Sequence, residues 1–293
     1  MDDRALTALL LLAALLHATW NALVKAGADK LVMQALVIGG AGGCMALLAP
    51  FVGFPERAAW PWLALSVLLH LTYNVSLVRA YQRGDLSQVY PIARGAAPAF
   101  VALGAWLALG EALSARELAG LAALSLGIAS LAFAGNGGDG GGAKALAPRA
   151  PAQGGSAVAW SLLTAAWIGA YSVADGAGVR LAGEPLRYIV WITVLDAAPL
   201  LAIALWLRRG RIAASFGPVL GRGLLAGALS ALAYAIVLWA MTQARIAHVA
   251  ALRETSVIAV AVIGTLWLGE PFGRRRILAA ALVAAGAIFL RTG

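Results

Sequence analysis

Long apolar runs follow one another along the whole chain, and short polar or Gly/Pro-rich gaps separate them. Most runs approach the ~20 residues that a helix needs to cross the hydrocarbon core of a bilayer. The pattern predicts ten membrane-spanning helices, near residues 5–24, 31–52, 60–80, 86–109, 117–135, 156–175, 188–207, 222–243, 249–268 and 277–291. We therefore expect an all-α, polytopic membrane protein.

One gap has a composition of its own, since residues 135–155 read GNGGDGGGAKALAPRAPAQGG. A stretch of Gly, Pro and Ala cannot bury a core and is typical of a flexible linker. It divides the ten spans into five plus five. The predicted organisation is a first repeat at 1–135, a linker at 136–155 and a second repeat at 156–293.

The two halves resemble each other when one is shifted by 159 residues. The matches include Arg94 with Arg253, Leu109-Gly110-Glu111 with Leu268-Gly269-Glu270, and Gly127 with Gly286. Because five is odd, the second half must cross the membrane in the opposite orientation. Inverted repeats recur in secondary transporters, whose substrate sites lie near the midplane at the repeat interface. We therefore expect two inverted five-helix repeats with a substrate cavity between them.

Composition narrows the class of protein. Hydrophobic residues make up 62% of the chain and charged residues only 12%, whereas a soluble domain carries about a quarter charged residues. These proportions exclude a disordered chain and argue strongly against a soluble enzyme. The single cysteine, Cys44, excludes an intrachain disulfide, and its apolar surroundings in sequence predict a buried thiol.

The net charge of +9 comes from 22 Lys+Arg against 13 Asp+Glu. In a soluble protein it would indicate nucleic acid as a partner. Here the basic residues are spread over the polar gaps, which favours lipid head groups of the bilayer as their partners and no nucleic acid. With Arg94 and Arg253 left out because they lie within spans, seven of the 22 fall on the side of the N-terminus and thirteen on the other, so the positive-inside rule places both termini outside the cell.

Polar and aromatic residues form stripes at helical spacing within several spans, and such faces should turn inward, away from lipid. The candidate substrate-binding residues are His17, Trp20, Asn21, His70, Tyr73, Asn74, Tyr81, Tyr90, Arg94, Trp167, Tyr171, Tyr234 and Arg253. The candidate ion-coupling residues are the acids Asp175, Asp196 and Glu254. Alternatively, the aromatic residues only pack between helices, each histidine satisfies one interhelical hydrogen bond, and the buried charges only pair with one another.

No soluble-enzyme motif is present in the sequence: it has no P-loop, no HExxH and no CxxC. The three histidines are not at metal-ligand spacing. We expect no catalytic residues, no cofactor and no metal site. An integral-membrane enzyme stays open as an alternative that would need paired acids or a histidine cluster in space.

Three segments resemble the drug/metabolite transporter superfamily, and specifically its EamA-type branch. They are GDLSQVYPIARGAAP (Gly84–Pro98), LGEALSARELAGLAALSLGIASL (Leu109–Leu131) and LGEPFGRRRILAAALVAAGAIFL (Leu268–Leu290). The resemblance covers essentially the whole chain. It implies ten helices as two EamA repeats in the inner (plasma) membrane, with a monomer as one possible assembly.

The same resemblance implies secondary transport of a small metabolite, often amino acid export, by alternating access and driven by an ion gradient or by exchange. Small multidrug-resistance relatives couple to protons through a glutamate in the first helix, but this chain has no acidic residue between Arg4 and Asp29. Family members are described with both termini in the cytoplasm, opposite to the charge count. The alternative function is a non-transporting membrane subunit of a flippase for a lipid-linked substrate.

Overall fold

The computed structural model describes residues 2–25, 30–84, 86–134, 154–259 and 274–292, and every regular element within them is helical. The helices are α1 (Asp3–Lys25), α2 (Lys30–Ala46), α3 (Ala49–Val52), α4 (Trp60–Tyr81), α5 (Leu86–Leu109), α6 (Ala115–Ala134), α7 (Gly154–Arg180), α8 (Pro185–Leu207), α9 (Ile212–Phe216), α10 (Leu220–Ala240), α11 (Ile246–Glu254) and α12 (Arg274–Thr292). Most of the predicted linker, 136–153, lies outside the described residues.

Several of these helices are built to cross a membrane. Six segments are long and apolar enough: Arg4–Asn21, Arg57–Tyr81, Val89–Leu109, Gly155–Arg180, Pro185–Leu207 and Ala214–Ala240. Two further apolar helices, Val32–Ala46 and Ile277–Leu290, are shorter. The chain is therefore all-helical with several membrane spans, as the hydropathy pattern predicts, while the number ten stays a prediction.

The ninth predicted span, 249–268, is not one continuous helix. Helix α11 ends at Glu254, Thr255 lies in a turn, and helical structure resumes at 256–259. The amide of Thr255 bonds the carbonyl of Leu252 at 3.1 Å, a three-residue step that tightens the end of α11. Residues 260–268 of this span lie outside the described part of the chain.

Two compact units make up the fold. The first comprises Met1–Leu71 and Tyr171–Pro271, and the second comprises Thr72–Ala170 and Phe272–Gly293. Each unit combines segments from both predicted repeats. The division into compact units does not test the repeat boundaries, which stay a prediction.

Glycines of α2 and α10 hold the first unit together by close backbone approach. A β-carbon at Gly42 would lie 2.4 Å from the β-carbon of Ala197 on α8. A β-carbon at Gly227 of α10 would lie 2.7 Å from the carbonyl oxygen of Val37. Since lipid tails are as apolar as leucine, such contacts replace hydrophobic burial as the source of helix association. The neighbouring Gly43 meets no described atom within 4 Å.

Polar contacts fix two turns of the first unit. Arg180, the last residue of α7, donates from Nε to the carbonyl of Met241 at 2.8 Å and from Nη2 to the carbonyl of Ala244 at 2.9 Å, and so caps the end of α10. After α7 the chain turns at Gly183, whose φ of +76° suits glycine. A β-carbon there would also lie 2.5 Å from Oε1 of Glu56.

The second unit pairs α6 with α12 in antiparallel fashion. A β-carbon at Gly120 would lie 2.8 Å from the carbonyl oxygen of Gly286, and one at Gly127 would lie 3.1 Å from that of Ala279. The shift of 159 residues that relates the halves takes Gly120 to Ala279 and Gly127 to Gly286. The two contacts therefore exchange with each other under that shift, which is the symmetry expected of two halves in opposite orientation.

The first LGE motif ends α5 and prepares α6. Leu109 is the last residue of α5, and Gly110 follows at φ +70°, the left-handed conformation that commonly ends a helix. Four residues later a capping box begins α6: the amide of Ser114 donates to Oε2 of Glu117 at 2.6 Å, and the amide of Glu117 donates to Ser114 Oγ at 3.2 Å. At this position the LGE motif therefore ends α5, and the capping box that follows it begins α6.

One sequence expectation about the surface is wrong. The thiol of Cys44 is exposed rather than buried. It sits beside the open Gly43 on the face of α2 turned away from the helices of its unit. An apolar neighbourhood in sequence does not distinguish a lipid-facing side from a protein-facing side, because both sides of a membrane helix are apolar.

Candidate functional site

A carboxylate stands at the centre of the polar interior of the first unit. Asp175 on α7 is fully buried and accepts hydrogen bonds from three hydroxyl groups. Ser66 Oγ lies 2.5 Å and Tyr188 Oη 3.0 Å from Oδ1, and Tyr234 Oη donates to Oδ2. No arginine or lysine contacts Asp175 within the described part of the chain. Hydrogen bonds, rather than an ion pair, therefore compensate the loss of its hydration.

Small residues on α7 make room for this arrangement. A β-carbon at Gly178 would lie 2.3 Å from the ring of Tyr188, so only glycine lets that ring lie against α7 and reach Asp175. Two residues earlier, on another side of α7, a β-carbon at Gly176 would lie 2.1 Å from Ile246 of α11. Helices α8 and α11 thus pack against the part of α7 that carries the acid.

His70 of α4 contacts Ser66 and Tyr234, two of the residues whose hydroxyls donate to Asp175. Its Nδ1 lies 3.0 Å from the carbonyl oxygen and 3.2 Å from Oγ of Ser66, and its Nε2 lies 3.5 Å from Tyr234 Oη. The imidazole stacks on the ring of Tyr171, with centroids 4.1 Å apart and planes 24° apart. It meets the ring of Tyr234 edge-on at 6.1 Å.

A second acid belongs to the same surroundings. Asp196 on α8 is half-buried and interacts electrostatically with both His70 and Asp175. We name the whole set the Asp175 cluster; its members are Ser66, His70, Tyr171, Asp175, Tyr188, Asp196 and Tyr234. They come from α4, α7, α8 and α10. Ser66 and His70 lie in the predicted first repeat, and the other members lie in the second.

Four of the residues proposed from sequence contact one another or a shared neighbour in this cluster, namely His70, Tyr171, Tyr234 and Asp175, and a fifth, Asp196, interacts with two of them electrostatically. Two members, Ser66 and Tyr188, were not among the candidates. Ser66 precedes His70 by four residues on one face of α4, so extending that stripe by one turn towards the N-terminus would have found it. Tyr188 lies near the start of a span, where a tyrosine usually anchors the helix at the membrane surface, but this one is fully buried.

Two other candidates pair with each other at the end of α11. Arg253 and Glu254 are both buried, and Nη2 of the arginine lies 3.4 Å from Oε1 of the glutamate. They directly precede the turn at Thr255. Their contact favours the interpretation that buried charges pair with each other. Separately, transporters often have interrupted helices near their binding sites.

The candidates of α1 form a separate group in the first unit. The rings of His17 and Trp20 meet edge-on with centroids 5.0 Å apart. Asn21 donates from Nδ2 to the carbonyl of His17 at 2.7 Å, so its amide is engaged within its own helix. All three residues are half-buried.

The remaining candidates lie in the second unit: Tyr73, Asn74, Tyr81, Tyr90, Arg94 and Trp167. Arg94 is buried on α5, a continuous helix that contains two prolines, Pro91 and Pro98. Tyr81 interacts electrostatically with Tyr90 and Arg94, so these three form a local polar group. The candidate residues thus fall into two sets, one in each compact unit.

The sequence matches the model of the EamA-like transporter family over residues 6–133 and 155–292. The chain belongs to the EamA-like transporter family. The family is consistent with the drug/metabolite transporter superfamily that the LGE-containing segments resemble. No protein of curated function matches the sequence. A solved crystal structure has the same fold, with a TM-score of 0.70 and 19% sequence identity over 98% of this chain and 96% of that one.

Family membership and the apolar helices together make this a multi-pass membrane protein of the transporter type. Within the described residues, no three His, Cys, Asp or Glu side chains are grouped so that they could hold a metal ion. What the Asp175 cluster offers is hydroxyl, imidazole and carboxyl groups at hydrogen-bond distance. These groups can exchange protons and can orient a polar solute.

Proposed function

We propose that this EamA-like family member is a secondary-active transporter that exports a small polar or amphipathic metabolite, such as an amino acid, across the inner membrane. The observation that carries the proposal is the Asp175 cluster. Polar groups buried in membrane helices are expensive and are kept mainly where they bind or move something. A cluster drawn from both predicted repeats is suited to alternating access, because movement of one repeat against the other would rearrange it.

Roles within the cluster follow from its chemistry. Tyr171 and Tyr234 supply ring faces and hydroxyls that suit an amphipathic solute, and His70 supplies a hydrogen-bonding ring between them. Outside the cluster, Arg253 of the first unit is a buried cation that would attract a substrate carboxylate, and Arg94 offers the same chemistry in the second unit. We assign Asp175 and Asp196 to coupling rather than to substrate contact, because the hydroxyls around Asp175 already occupy its oxygens.

The test is uptake by proteoliposomes that contain the purified full-length chain and a panel of radiolabelled L-amino acids. Ser66→Ala removes a hydroxyl that donates to Asp175, and we expect transport to fall roughly ten- to a hundredfold, since a hydrogen bond to a charged group contributes about 1.5–3 kcal/mol. Ser161→Ala is the matched control: Ser161 is equally buried, but its hydroxyl bonds Ala157 of its own helix.

Equal transport by the two serine variants would contradict the assignment of the site. If the purified chain transports no member of the panel but transport appears when a second membrane protein is added, the alternative of a flippase subunit is favoured instead.

A further inference from the structure

An ionised Asp175 would fix the positions of the hydrogen atoms around it. An ionised carboxylate only accepts hydrogen bonds, and each hydroxyl has one hydrogen to donate. When Asp175 is ionised, the hydrogens of Ser66 and Tyr234 therefore both point at it. As a result, the oxygens of these two hydroxyls can only accept from any other neighbour.

Both ring nitrogens of His70 face such acceptors. Nδ1 lies 3.0 Å from the backbone carbonyl of Ser66, which never donates. Nε2 lies 3.5 Å from the oxygen of Tyr234, whose hydrogen is engaged with Asp175. A neutral imidazole has one donor and one acceptor nitrogen, whereas an imidazolium has two donors. The surroundings therefore fit an imidazolium at His70 beside an ionised Asp175.

The other neighbours of His70 favour the same charge. Tyr171 presents the face of its ring to the imidazole at 4.1 Å, and an aromatic face attracts a cation within about 6 Å. Asp196 adds a second carboxyl group that interacts with His70 electrostatically. A cation in a membrane helix needs such partners, because an unpaired charge there is costly.

We propose that His70 and Asp175 hold one exchangeable proton between them through the hydroxyl of Tyr234, and that the ion coupled to transport is a proton. In the step, the Nε2 proton of His70 passes to the oxygen of Tyr234 while the phenolic proton passes to Oδ2 of Asp175. The products are a neutral imidazole and a neutral carboxylic acid, so charge and protons balance.

Nuclear magnetic resonance of the histidine rings tests the charge of the pair without any substrate. The full chain, labelled with ¹⁵N in its histidine rings and held in lipid nanodiscs, has only three histidines, His17, His70 and His248. His70→Gln identifies the His70 signals. At about pH 7.5, where an unperturbed histidine is about nine-tenths neutral, we expect wild-type His70 to be an imidazolium.

Two variants make this measurement specific. Asp175→Asn should lower the ratio of imidazolium to imidazole at His70 by about tenfold or more, because a nearby opposite charge favours the charged form. Tyr188→Phe removes a hydroxyl that contacts Asp175 at 3.0 Å but leaves Tyr234 in place between Asp175 and Nε2 of His70, so it should leave His70 charged. A neutral His70 in the wild type, or a His70 signal unchanged in Asp175→Asn, would overturn the proposal.

The coupling of this proton to transport rests on the proposed function, and it is measured in a separate experiment. With the same amino acid panel, an inward proton gradient should accelerate transport by the wild type and by Ser161→Ala, which lies outside the Asp175 cluster. Tyr234→Phe should lose that acceleration, whatever its rate without a gradient, because it removes the oxygen that lies between Nε2 of His70 and Asp175. Unchanged gradient dependence in Tyr234→Phe would overturn the relay. A chain that transports no panel member would refute the proposed function, while the ring signals still decide the charge of the pair.

Discussion

The contact between α2 and α8 allows a sharp test of how this protein holds its helices together. In Gly42→Ala the new β-carbon would lie 2.4 Å from that of Ala197, whereas carbon atoms in contact sit about 3.5–4.0 Å apart. The two helices must therefore separate locally by roughly 1.1–1.6 Å, and overpacking of this kind costs about 1–3 kcal/mol. Gly43→Ala is the matched control, because it gains the same helix propensity but meets no described atom within 4 Å.

The assay is the midpoint of thermal unfolding in detergent. We expect the midpoint of Gly42→Ala to lie about 2–12 °C below that of Gly43→Ala, at about 2–4 °C per kcal/mol for a cost of about 1–3 kcal/mol. The double variant Gly42→Ala/Ala197→Gly moves the methyl group across the interface and leaves Thr193 O as the nearest neighbour at 3.3 Å, so it should recover most of the loss. If Gly42→Ala is as stable as Gly43→Ala, or the double variant gains nothing, close glycine packing does not stabilise this unit.

Three further changes test the turns. Ser114→Ala removes the cap of α6, and the free energy of unfolding should fall by about 1 kcal/mol; Glu117→Ala combined with it should add little, because the two side chains act as one capping box. Arg180→Gln leaves the carbonyls at the end of α10 without their cation, which should lower stability by about 1–3 kcal/mol in chemical unfolding. Gly183→Ala meets both a positive φ and the side chain of Glu56, so trypsin should cleave this turn faster than in the wild type, and equal cleavage would contradict the strain.

The sequence predicts best those helices whose length is set by the thickness of the bilayer. The span predicted at 86–109 coincides with α5. The span predicted at 156–175 is shorter than α7, which runs from Gly154 to Arg180. Three hydroxyl groups from other helices donate hydrogen bonds to Asp175 and allow it to be buried within α7. The residues next to Asp175 in sequence do not indicate these partners. The turn at Thr255 was missed for a similar reason, since no glycine or proline marks it.

The candidate site was predictable to the extent that its members share a helix. His70 and Asp175 stand out as polar residues in apolar helices. The 3.6-residue period of the helix then shows which residues of the same helix share their face. Partners on other helices depend on which helices adjoin, and apolar surfaces that look alike in sequence do not specify that. Ser66 lies 109 residues before Asp175, and Tyr188 lies 13 residues after it across a turn. These residues come together only in the tertiary structure, so the sequence pattern does not predict their contact.

The antiparallel pair of α6 and α12 has a further consequence. Contacts that map onto themselves when two equivalent surfaces are exchanged define an isologous interface, the kind that joins the subunits of a twofold-symmetric dimer. Gly120 with Gly286 and Ala279 with Gly127 meet that definition inside a single polypeptide. The chain therefore carries, between two of its own helices, the geometry by which the subunits of a twofold-symmetric dimer associate. Because both helices belong to one polypeptide, their ratio is fixed at one to one and neither helix has to find its partner in the membrane.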